Sequence, residues 1–391
     1  MKRQTIAIDT PQVRRDTYGS LVVPIYGNVS FEFEDAEEMS DAFCGRIDAA
    51  DYARIENPTV TNLEERVKAL TGAEHVTAFN SGMAAISAAL MAVSAQGKTI
   101  VTSRHLFGNT LALICGTLSR FGVKARLRDL TDLEAVEEAI DERTCCVFVE
   151  AMTNPQLEVA DLAAIAEIAH KKGVPLIADT TLIPFTETRM KELGVDAEVV
   201  SSTKYLSGGG TSLGGLVIDY GTFPFLNSRI EKDLLINLGT IMTPHAAYMQ
   251  TLGLETLDAR YQRQAANALR LAESLKELKG IVRVNYVGLK ENPYHELAQR
   301  QFGPTAGAVL TIDLESRERC FRFINGLKLI HRATNLFDNR TLAIHPASTI
   351  FGLFPERQRE QMDVRETTIR ISVGLEDVED LLEDIQQAIE Y

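Results

Sequence analysis

The sequence predicts an α/β fold in which helices cover both faces of a mostly parallel β-sheet. Between residues 76 and 200, short apolar segments alternate with segments of helical periodicity. This alternation is typical of consecutive β-α-β units, whose strands are buried on both faces. After Gly239 the alternation is less strict, which indicates a second, smaller α+β domain. We therefore expect domains over residues 51–240 and 241–391, preceded by an N-terminal arm over residues 1–50.

The arm mixes polar and apolar residues with weak periodicity. Within it, residues 22–26 are expected to be extended and residues 35–43 to form a short acidic helix. A segment of this kind is poorly suited to fold alone, so we expect it to pack against another subunit.

Apolar runs and the residues at their boundaries predict the strands and helices of the two domains. Ser81 opens an alanine-rich helix, and a second helix begins after Asp161 and ends at Gly173, which are typical boundary residues. Strands are predicted over residues 76–79, 98–102, 145–150, 174–178, 197–200, 308–314 and 368–373. Helices are predicted over residues 81–95, 109–121, 161–173, 256–279 and 375–389.

Composition excludes several classes of function. The formal net charge is −14 and the chain has no basic cluster, which argues against binding to nucleic acid or to an anionic membrane. No run approaches the length of a membrane span, and no apolar run follows the start of the chain. The five cysteines form neither a zinc spacing nor a disulfide framework, so we expect no metal and a reducing, cytoplasmic location.

A lysine and an aspartate carry the main chemical signal. Lys204 follows an apolar strand and is flanked by hydroxyl residues and glycines, and Asp179 ends the preceding apolar strand. Such a pair suits pyridoxal 5'-phosphate (PLP), because the lysine can form a Schiff base with the aldehyde and the carboxylate can hold a proton on the pyridine nitrogen. The alternatives are a surface lysine and a helix-capping aspartate.

Phosphate contacts are expected beside this pair. Ser201 and Thr203 can donate hydrogen bonds to phosphate oxygens, and the glycines at 208–210 allow close backbone approach. Gly82 and Met83 lie at a helix start, where free N–H groups attract anions. By itself this last motif is also compatible with an ordinary strand–helix turn.

Three further residues could bind anions. Arg370 lies on a predicted strand between apolar neighbours and could clamp an amino-acid carboxylate, although a structural salt bridge is an equal alternative. Tyr52 and Arg54 lie in a polar loop, which is either a simple turn or a phosphate contact from a neighbouring chain. His345, before Pro346, is interpreted as structural.

Motifs along nearly the whole chain resemble one family. The chain is similar to the trans-sulfuration, or cysteine and methionine metabolism, family of PLP-dependent enzymes, and within it most like the O-acetylhomoserine sulfhydrylases. The motifs are Tyr52-Ala-Arg54, Asn57-Pro-Thr59, Ser81-Gly-Met83, Thr153-Asn-Pro155, Ser201-Ser-Thr-Lys-Tyr205, Gly253-Leu-Glu-Thr-Leu257, Ile344-His-Pro-Ala-Ser348 and Ile369-Arg-Ile-Ser-Val-Gly-Leu-Glu376.

The resemblance implies a fold and an assembly. It implies the type I fold of PLP-dependent transferases, with a seven-stranded sheet and a smaller C-terminal domain. It also implies a homotetramer built from dimers, in which Tyr52 and Arg54 complete the phosphate site of the adjacent subunit.

The resemblance also implies roles for individual residues. Lys204 would be the Schiff-base lysine and proton shuttle, and Asp179 would pair with the pyridine nitrogen. Gly82, Met83, Ser201 and Thr203 would bind the phosphate, Phe107 would stack on the ring, and Arg370, Asn154 and the backbone near Asn335 would hold the substrate carboxylate.

Departures from the family pattern bear on the reaction. Phe107 stands where most relatives have a tyrosine, and so lacks the phenol hydroxyl. Asn109 stands where methionine γ-lyases have a cysteine. Gly209 replaces a histidine of the sulfhydrylases, and Phe337 replaces a glycine of their Asn-x-Gly-Asp motif, where we expect it to narrow the substrate pocket.

The expected reaction is γ-replacement on O-acetyl- or O-succinylhomoserine by a sulfur nucleophile, which gives homocysteine or methionine. The alternatives are cystathionine γ-synthase, a cystathionine or methionine γ-lyase, and a PLP-binding regulatory protein without turnover. In every case the expected partner is a small amino-acid substrate, together with further copies of the chain.

Overall fold

A computed structural model describes residues 2–10, 16–47 and 49–391 of the chain. In these residues, eleven strands form a seven-stranded sheet and a four-stranded sheet. The strands are β1 (His75–Phe79), β2 (Thr99–Ser103), β3 (Lys124–Arg128), β4 (Thr144–Glu150), β5 (Leu176–Asp179), β6 (Ala197–Val200), β7 (Gly215–Asp219), β8 (Arg283–Asn285), β9 (Val309–Asp313), β10 (Leu342–Ile344) and β11 (Thr368–Ser372).

Helices lie in both predicted domains and in the predicted N-terminal arm. They are α1 (Arg3–Ile8), α2 (Ala36–Phe43), α3 (Pro58–Thr71), α4 (Gly82–Val93), α5 (Gly108–Ala112), α6 (Leu133–Ala139), α7 (Leu162–Lys171), α8 (Phe225–Ser228), α9 (Ile236–Leu238), α10 (Pro244–Glu255), α11 (Leu257–Leu275), α12 (His295–Phe302), α13 (Arg317–Gly326), α14 (Glu356–Gln361) and α15 (Val378–Glu390). None of the helices in the described ranges is long and apolar enough to cross a membrane.

The larger sheet has the order β1-β7-β6-β5-β4-β2-β3. Strands β2 to β6 pair in parallel, whereas β7 runs antiparallel to both β1 and β6. The predicted mostly parallel sheet is therefore confirmed, as is the predicted position of each strand between residues 76 and 200.

Helices cover both faces of this sheet, as the alternating side chains of β4 show. Val147 and Val149 belong to one buried cluster, which includes side chains of α3 and α7. Cys146 and Phe148 belong to a second cluster, which includes the alanine-rich face of α4. Because both faces of the strand are apolar, the sequence reads as a continuous hydrophobic run.

Sequence patterns missed two strands of the sheet for different reasons. The edge strand β3 is mostly exposed and carries alternating basic residues, so it has no apolar run. Strand β7 directly follows a glycine-rich segment, which is typical of a loop, and for this reason the sequence predicts no strand there.

The four-stranded sheet is antiparallel and has the order β10-β11-β9-β8. Strands β9 and β11 and helices α11 and α15 match the predicted elements, with ends shifted by a few residues. The division of the chain at residues 50 and 240 stays a prediction. Helix α2, capped by Asp35, lies in the proposed arm, and residues 1, 11–15 and 48 of that arm lie outside the described residues.

Helix α15 fixes the segment that leads to the cavity described below. The buried carboxylate of Asp384 accepts hydrogen bonds from the backbone N–H groups of Lys328, Leu329 and Ile330 at 2.8, 3.0 and 2.8 Å. The chain continues from this anchor through a β-bridge at His331 to Asn335. Asp384 therefore holds in place a loop that has little regular structure of its own.

We expect Asp384→Ala to lower the free energy of unfolding by about 2–4 kcal/mol, because backbone donors lose a charged acceptor and one of them is buried. The matched control is Glu383→Ala on the exposed face of α15, with an expected change within about 0.5 kcal/mol. Urea denaturation of the apoprotein measures both. Equal losses in the two variants would mean that the carboxylate does not anchor the loop.

Candidate active site

The carboxyl ends of β4, β5 and β6 open into a cavity of about 270 Å³. This is the edge at which ligands bind in open α/β sheets. Both sheets contribute to its wall. The lining residues are Ser81, Gly82, Met83, Ile86, Phe107, Glu150, Met152, Asn154, Asp179, Thr181, Leu182, Ser201, Thr203, Lys204, Leu213, Thr334, Asn335, Leu336, Ile350 and Arg370.

Lys204 follows β6 and extends its amine into this cavity. Its Nζ donates to Oδ1 of Asn335 at 2.9 Å, and its backbone N–H donates to the carbonyl of Ser201 at 3.0 Å. Burial, aided by the nearby Arg370 guanidinium, lowers the pKa of Lys204 to about 8. A lysine in this state is partly neutral near physiological pH and can act as a nucleophile or base.

Asp179 and Glu150 lie side by side at the ends of neighbouring parallel strands. Asp179 Oδ1 accepts from the backbone N–H of Thr181 at 2.9 Å. Burial raises the pKa of Asp179, and this hydrogen bond opposes the shift. Burial and the charge of Asp179 raise the pKa of Glu150 well above its ordinary value.

Arg370 reaches the cavity from β11, the strand between β9 and β10 in the smaller sheet. Its Nη1 donates to Oδ1 of Asn154 at 3.2 Å, and its Nη2 donates to the carbonyl of Asn335 at 3.1 Å. The side chain is 3% exposed, and its Nε has no hydrogen-bond partner among the described residues. A buried guanidinium with neutral partners and a spare donor is suited to bind a carboxylate.

The start of α4 forms another wall of the cavity. Oγ of Ser81 accepts from the N–H of Ala84 at 3.2 Å, which leaves the N–H groups of Gly82 and Met83 without an intrahelical acceptor. A Cβ added at Gly82 would lie 2.7 Å from Cβ of Ser201, so the helix start and the lysine-bearing loop can meet only because residue 82 is glycine.

The hydroxyl residues beside Lys204 occupy two different environments. Ser201 is half-buried, and its backbone N–H donates to Oγ1 of Thr181 at 2.9 Å. Thr203 Oγ1 donates to the carbonyl of Gly214 at 3.2 Å and accepts from the Gly214 N–H at 3.0 Å. The hydroxyl of Thr203 therefore also joins its loop to the start of β7.

These residues fit PLP. The cavity offers an amine with a lowered pKa, a buried carboxylate, free N–H groups at a helix start and a guanidinium with an uncommitted N–H. Lys204, Asp179 and the pair Gly82 and Met83 would hold the aldehyde, the ring nitrogen and the phosphate. When bound, PLP supplies an electron sink for negative charge that develops on a substrate carbon.

Ten of the twelve sequence-predicted site residues line the cavity, and Tyr52 and Arg54 do not. Arg54 instead donates from Nη1 to the carbonyl of Ile236 at 2.7 Å, and its Cζ lies 5.5 Å from the centre of the Tyr52 ring. Both side chains therefore lie apart from the lysine of their own chain. Their role at the site of a neighbouring subunit stays a prediction.

One expectation about the departures from the family pattern is wrong. Phe337 is fully buried and stacks on Tyr205 with ring centres 3.5 Å apart, so it supports the loop from below and does not narrow the cavity. Its neighbour Leu336 lines the wall instead. The glycines at 208–210, all with positive φ, allow close approach to Gly253, Asn339, Asp338 and the cavity-lining Asn335. Their role beside a bound phosphate stays a prediction.

Sequence patterns missed several lining residues. Thr181 could have been found because it follows Asp179 by two positions, a common spacing for a side-chain to backbone turn. Leu213, Thr334 and Ile350 had no comparable signal, because they lie in loops whose packing is decided by distant parts of the chain.

The histidines give no sign of a metal centre. Nδ1 of His105 lies 2.6 Å from Oε2 of Glu158, and the ring of His345 bonds Oγ of Ser348 and the carbonyl of Glu366, both at 2.8 Å. These contacts join loops and are structural. In the part of the chain that the structure describes, no three His, Cys, Asp or Glu side chains form a metal-binding group.

Comparison with known proteins agrees with this geometry. An O-succinylhomoserine sulfhydrylase of Pseudomonas aeruginosa is 37% identical, over 98% of this chain and 94% of that protein. An L-methionine gamma-lyase of Pseudomonas putida is 36% identical, over 96% of this chain and 94% of that protein.

A solved structure gives the same result for the fold. An O-acetylhomoserine (thiol)-lyase of Campylobacter jejuni, which carries a pyridoxyl-lysine phosphate at its position 205, has a TM-score of 0.96 and 32% identity, and the match covers 100% of both chains. The family described as Cys/Met metabolism PLP-dependent enzyme matches residues 4–390. The chain therefore belongs to the Cys/Met metabolism family of PLP-dependent enzymes, and PLP is its cofactor.

Proposed function

We propose that this protein catalyses γ-replacement on an O-acylhomoserine, in which a small thiol or sulfide displaces the acyl carboxylate and yields homocysteine or methionine. The observation that carries the proposal is the arrangement of Lys204, Asp179 and Arg370 around one cavity. The amine, the carboxylate and the guanidinium suit the three parts of an amino-acid reaction with PLP: proton transfer, ring protonation and carboxylate binding.

Lys204 is the proposed proton carrier. Its lowered pKa, about 8, lets it accept a proton from the α-carbon and return one later, both near neutral pH. The hydrogen bond to Asn335 fixes the position of Nζ once the amine is free. Asn335 belongs to the Asn-Leu-Phe-Asp segment that resembles the corresponding motif of sulfhydrylases, and this favours replacement over elimination.

Arg370 is the proposed anchor of the substrate carboxylate. Its guanidinium is held by Asn154 and by the backbone of Asn335, so it is oriented before the substrate arrives. No proton has to move when the ion pair forms, because a guanidinium stays charged. Asn154 and Asn335 would then act through Arg370 as well as by direct contact.

The balance of the reaction is simple. The Cγ–O bond of the ester breaks and the acyloxy group leaves as acetate or succinate, while a thiol or sulfide forms the new C–S bond at the same carbon and releases its proton. A carboxylate is a better leaving group than a thiolate, so it needs less help from a general acid. Phe107, which has no hydroxyl, is compatible with this leaving group.

Elimination is the second candidate, because a methionine gamma-lyase is nearly as similar to the chain as the sulfhydrylase. A lyase must expel a thiolate, for which an acidic group near the leaving sulfur is an advantage. Phe107 and Asn109 stand where the family pattern of methionine γ-lyases has a tyrosine and a cysteine, and this disfavours elimination.

The proposed active unit is a dimer, assembled in pairs to a tetramer. The arm and the loop that follows it expose large apolar side chains, among them Tyr18 at 96%, Leu21 at 98% and Phe43 at 59%. Exposed apolar side chains gathered in one part of a chain favour contact with another chain. Tyr52 and Arg54 follow directly and would reach the phosphate of the neighbour.

The first prediction concerns the lysine. Apoprotein mixed with PLP should develop its visible covalent band faster as pH rises from about 6, roughly tenfold per unit, and the rate should level off above about 8, because only the neutral amine reacts. Lys204→Ala should form no such band, and the exposed-lysine control Lys191→Ala should behave as wild type. Borohydride reduction that labels a peptide without Lys204 would refute the assignment.

The second prediction concerns the reaction type. Wild-type protein should process O-acetyl- and O-succinylhomoserine with sulfide far faster than it releases methanethiol from methionine. Phe107→Tyr should raise methanethiol release, by up to about 10²–10⁴-fold if the hydroxyl is the missing acid. Phe121→Tyr adds the same hydroxyl at an exposed ring outside the cavity and serves as the control. Equal wild-type rates on methionine and on the esters would move the protein to the lyases.

The third prediction concerns the shared site. Arg54→Ala and Lys204→Ala chains should each be inactive. An equimolar mixture of the two should regain up to about a quarter of wild-type activity, because about half of its dimers are mixed and each mixed dimer carries one intact site out of two. Mass spectrometry of the mixture verifies that mixed dimers form. Verified mixed dimers without activity would show that Arg54 serves its own chain.

A further inference from the structure

Glu150 is a buried acid that has no role in the proposed reaction. It is the last residue of β4, is 5% exposed, and lies directly opposite Asp179 on the parallel strand β5. Both carboxyl groups line the cavity. Two neighbouring carboxyl groups shielded from water do not both ionise readily, so one of them retains its proton.

Both carboxyl groups accept hydrogen bonds that stabilise an anion, Asp179 from Thr181 and Glu150 from the backbone of Phe107 and Asn154. The position of Asp179 favours it as the charged member of the pair. It is the residue proposed to face the protonated ring nitrogen, whose positive charge stabilises a carboxylate. Glu150 lies beside the loop that carries Phe107, and its Oε1 accepts the backbone N–H of Phe107 at 2.5 Å. A protonated carboxyl group can still accept this hydrogen bond through its carbonyl oxygen.

The remaining charged groups around the cavity have other partners. Lys204, from the loop after β6, donates to Asn335, and Arg370, from β11, donates to Asn154 and to the backbone of Asn335. The charged group that acts on Glu150 is Asp179, its partner on β5, whose negative charge opposes a second anion. Burial acts in the same direction and raises the pKa of Glu150.

We propose that Glu150 is a positioning residue that acts as a neutral carboxylic acid: it fixes the backbone of Phe107, and with it the ring that lines the cavity, while it leaves Asp179 as the single anion of the pair. The inference rests on the proposed roles of Asp179 and Phe107. A neutral Glu150 can accept the hydrogen bond from the backbone of Phe107 and at the same time leave Asp179 as the ionised carboxylate of the pair.

The carbonyl stretch of a protonated carboxylic acid in the infrared spectrum tests the charge directly. At neutral pH the difference between wild type and Glu150→Gln should contain this band, in the apoprotein and in the PLP-loaded protein. Glu158→Gln, which alters an acid that contacts His105 outside the cavity, should give no such band. Burial also raises the pKa values of Glu64 and Glu198, but their bands are common to all three proteins and cancel.

The affinity for PLP tests the positioning role. Glu150→Gln keeps a neutral acceptor of the same shape. Its dissociation constant for PLP should therefore stay within about threefold of wild type, and the position of its visible band should not change. Glu150→Met keeps the length without the acceptor and should weaken PLP binding by about tenfold or more. Circular dichroism verifies that each variant is folded. If only one of Glu150→Gln and Glu150→Met folds, the infrared difference spectrum is measured against that variant.

An absent band in the difference spectrum, or a Glu150→Gln protein that binds PLP as poorly as Glu150→Met, would overturn the inference. Neither measurement requires turnover. A protein that shows the band but lacks sulfhydrylase activity would therefore contradict only the proposed function, and an active sulfhydrylase without the band would contradict only the role of Glu150.

Discussion

The removal of the Lys204 amine from water is the constraint on which the cavity depends. Burial lowers the pKa of this lysine to about 8, and Arg370 adds to the effect. A buried cation is costly, and the protein meets the cost with neutral oxygen acceptors, Asn335 for the amine and Asn154 for the guanidinium, and not with carboxylates. An ion pair would have raised the pKa of Lys204 and kept the amine charged. Neutral acceptors hold it in place and leave it reactive.

This arrangement requires both sheets. Lys204, Asp179 and Glu150 come from the parallel sheet, while Arg370 and Asn335 come from the segment that forms the smaller one. Asp384 fixes the chain just before Asn335, and Phe337 just after it stacks on Tyr205, the neighbour of Lys204. The loop that positions the amine is thus fixed on both sides. A change in either sheet would alter the distance between Nζ and Asn335.

Sequence patterns predicted what is encoded locally. The apolar runs of β4, β5 and β6 fixed the sheet edge at which the site lies, and Lys204 and Asp179 were identified by their positions at strand ends. The contacts that complete the site join residues far apart: Lys204 and Asn335 are separated by 131 positions, and Arg370 and Asn154 by 216. The hydrophobic periodicity of a short segment cannot predict contacts between residues so far apart in the chain. Phe337 illustrates the error this causes, because its place in a motif suggested the cavity wall while packing put it under Tyr205.

The charges of the cavity form a consistent set when Glu150 is neutral. While the Lys204 amine is protonated, two cations, Lys204 and Arg370, face one anion, Asp179, and the surplus positive charge suits an amino-acid substrate that brings a carboxylate and a cofactor that brings a phosphate. A second anion at Glu150 would cancel that surplus beside Asp179. The hydrogen bond from Phe107 shows a further advantage of the neutral acid. It lets the strand end support the ring-bearing loop without adding charge to the wall of the cavity.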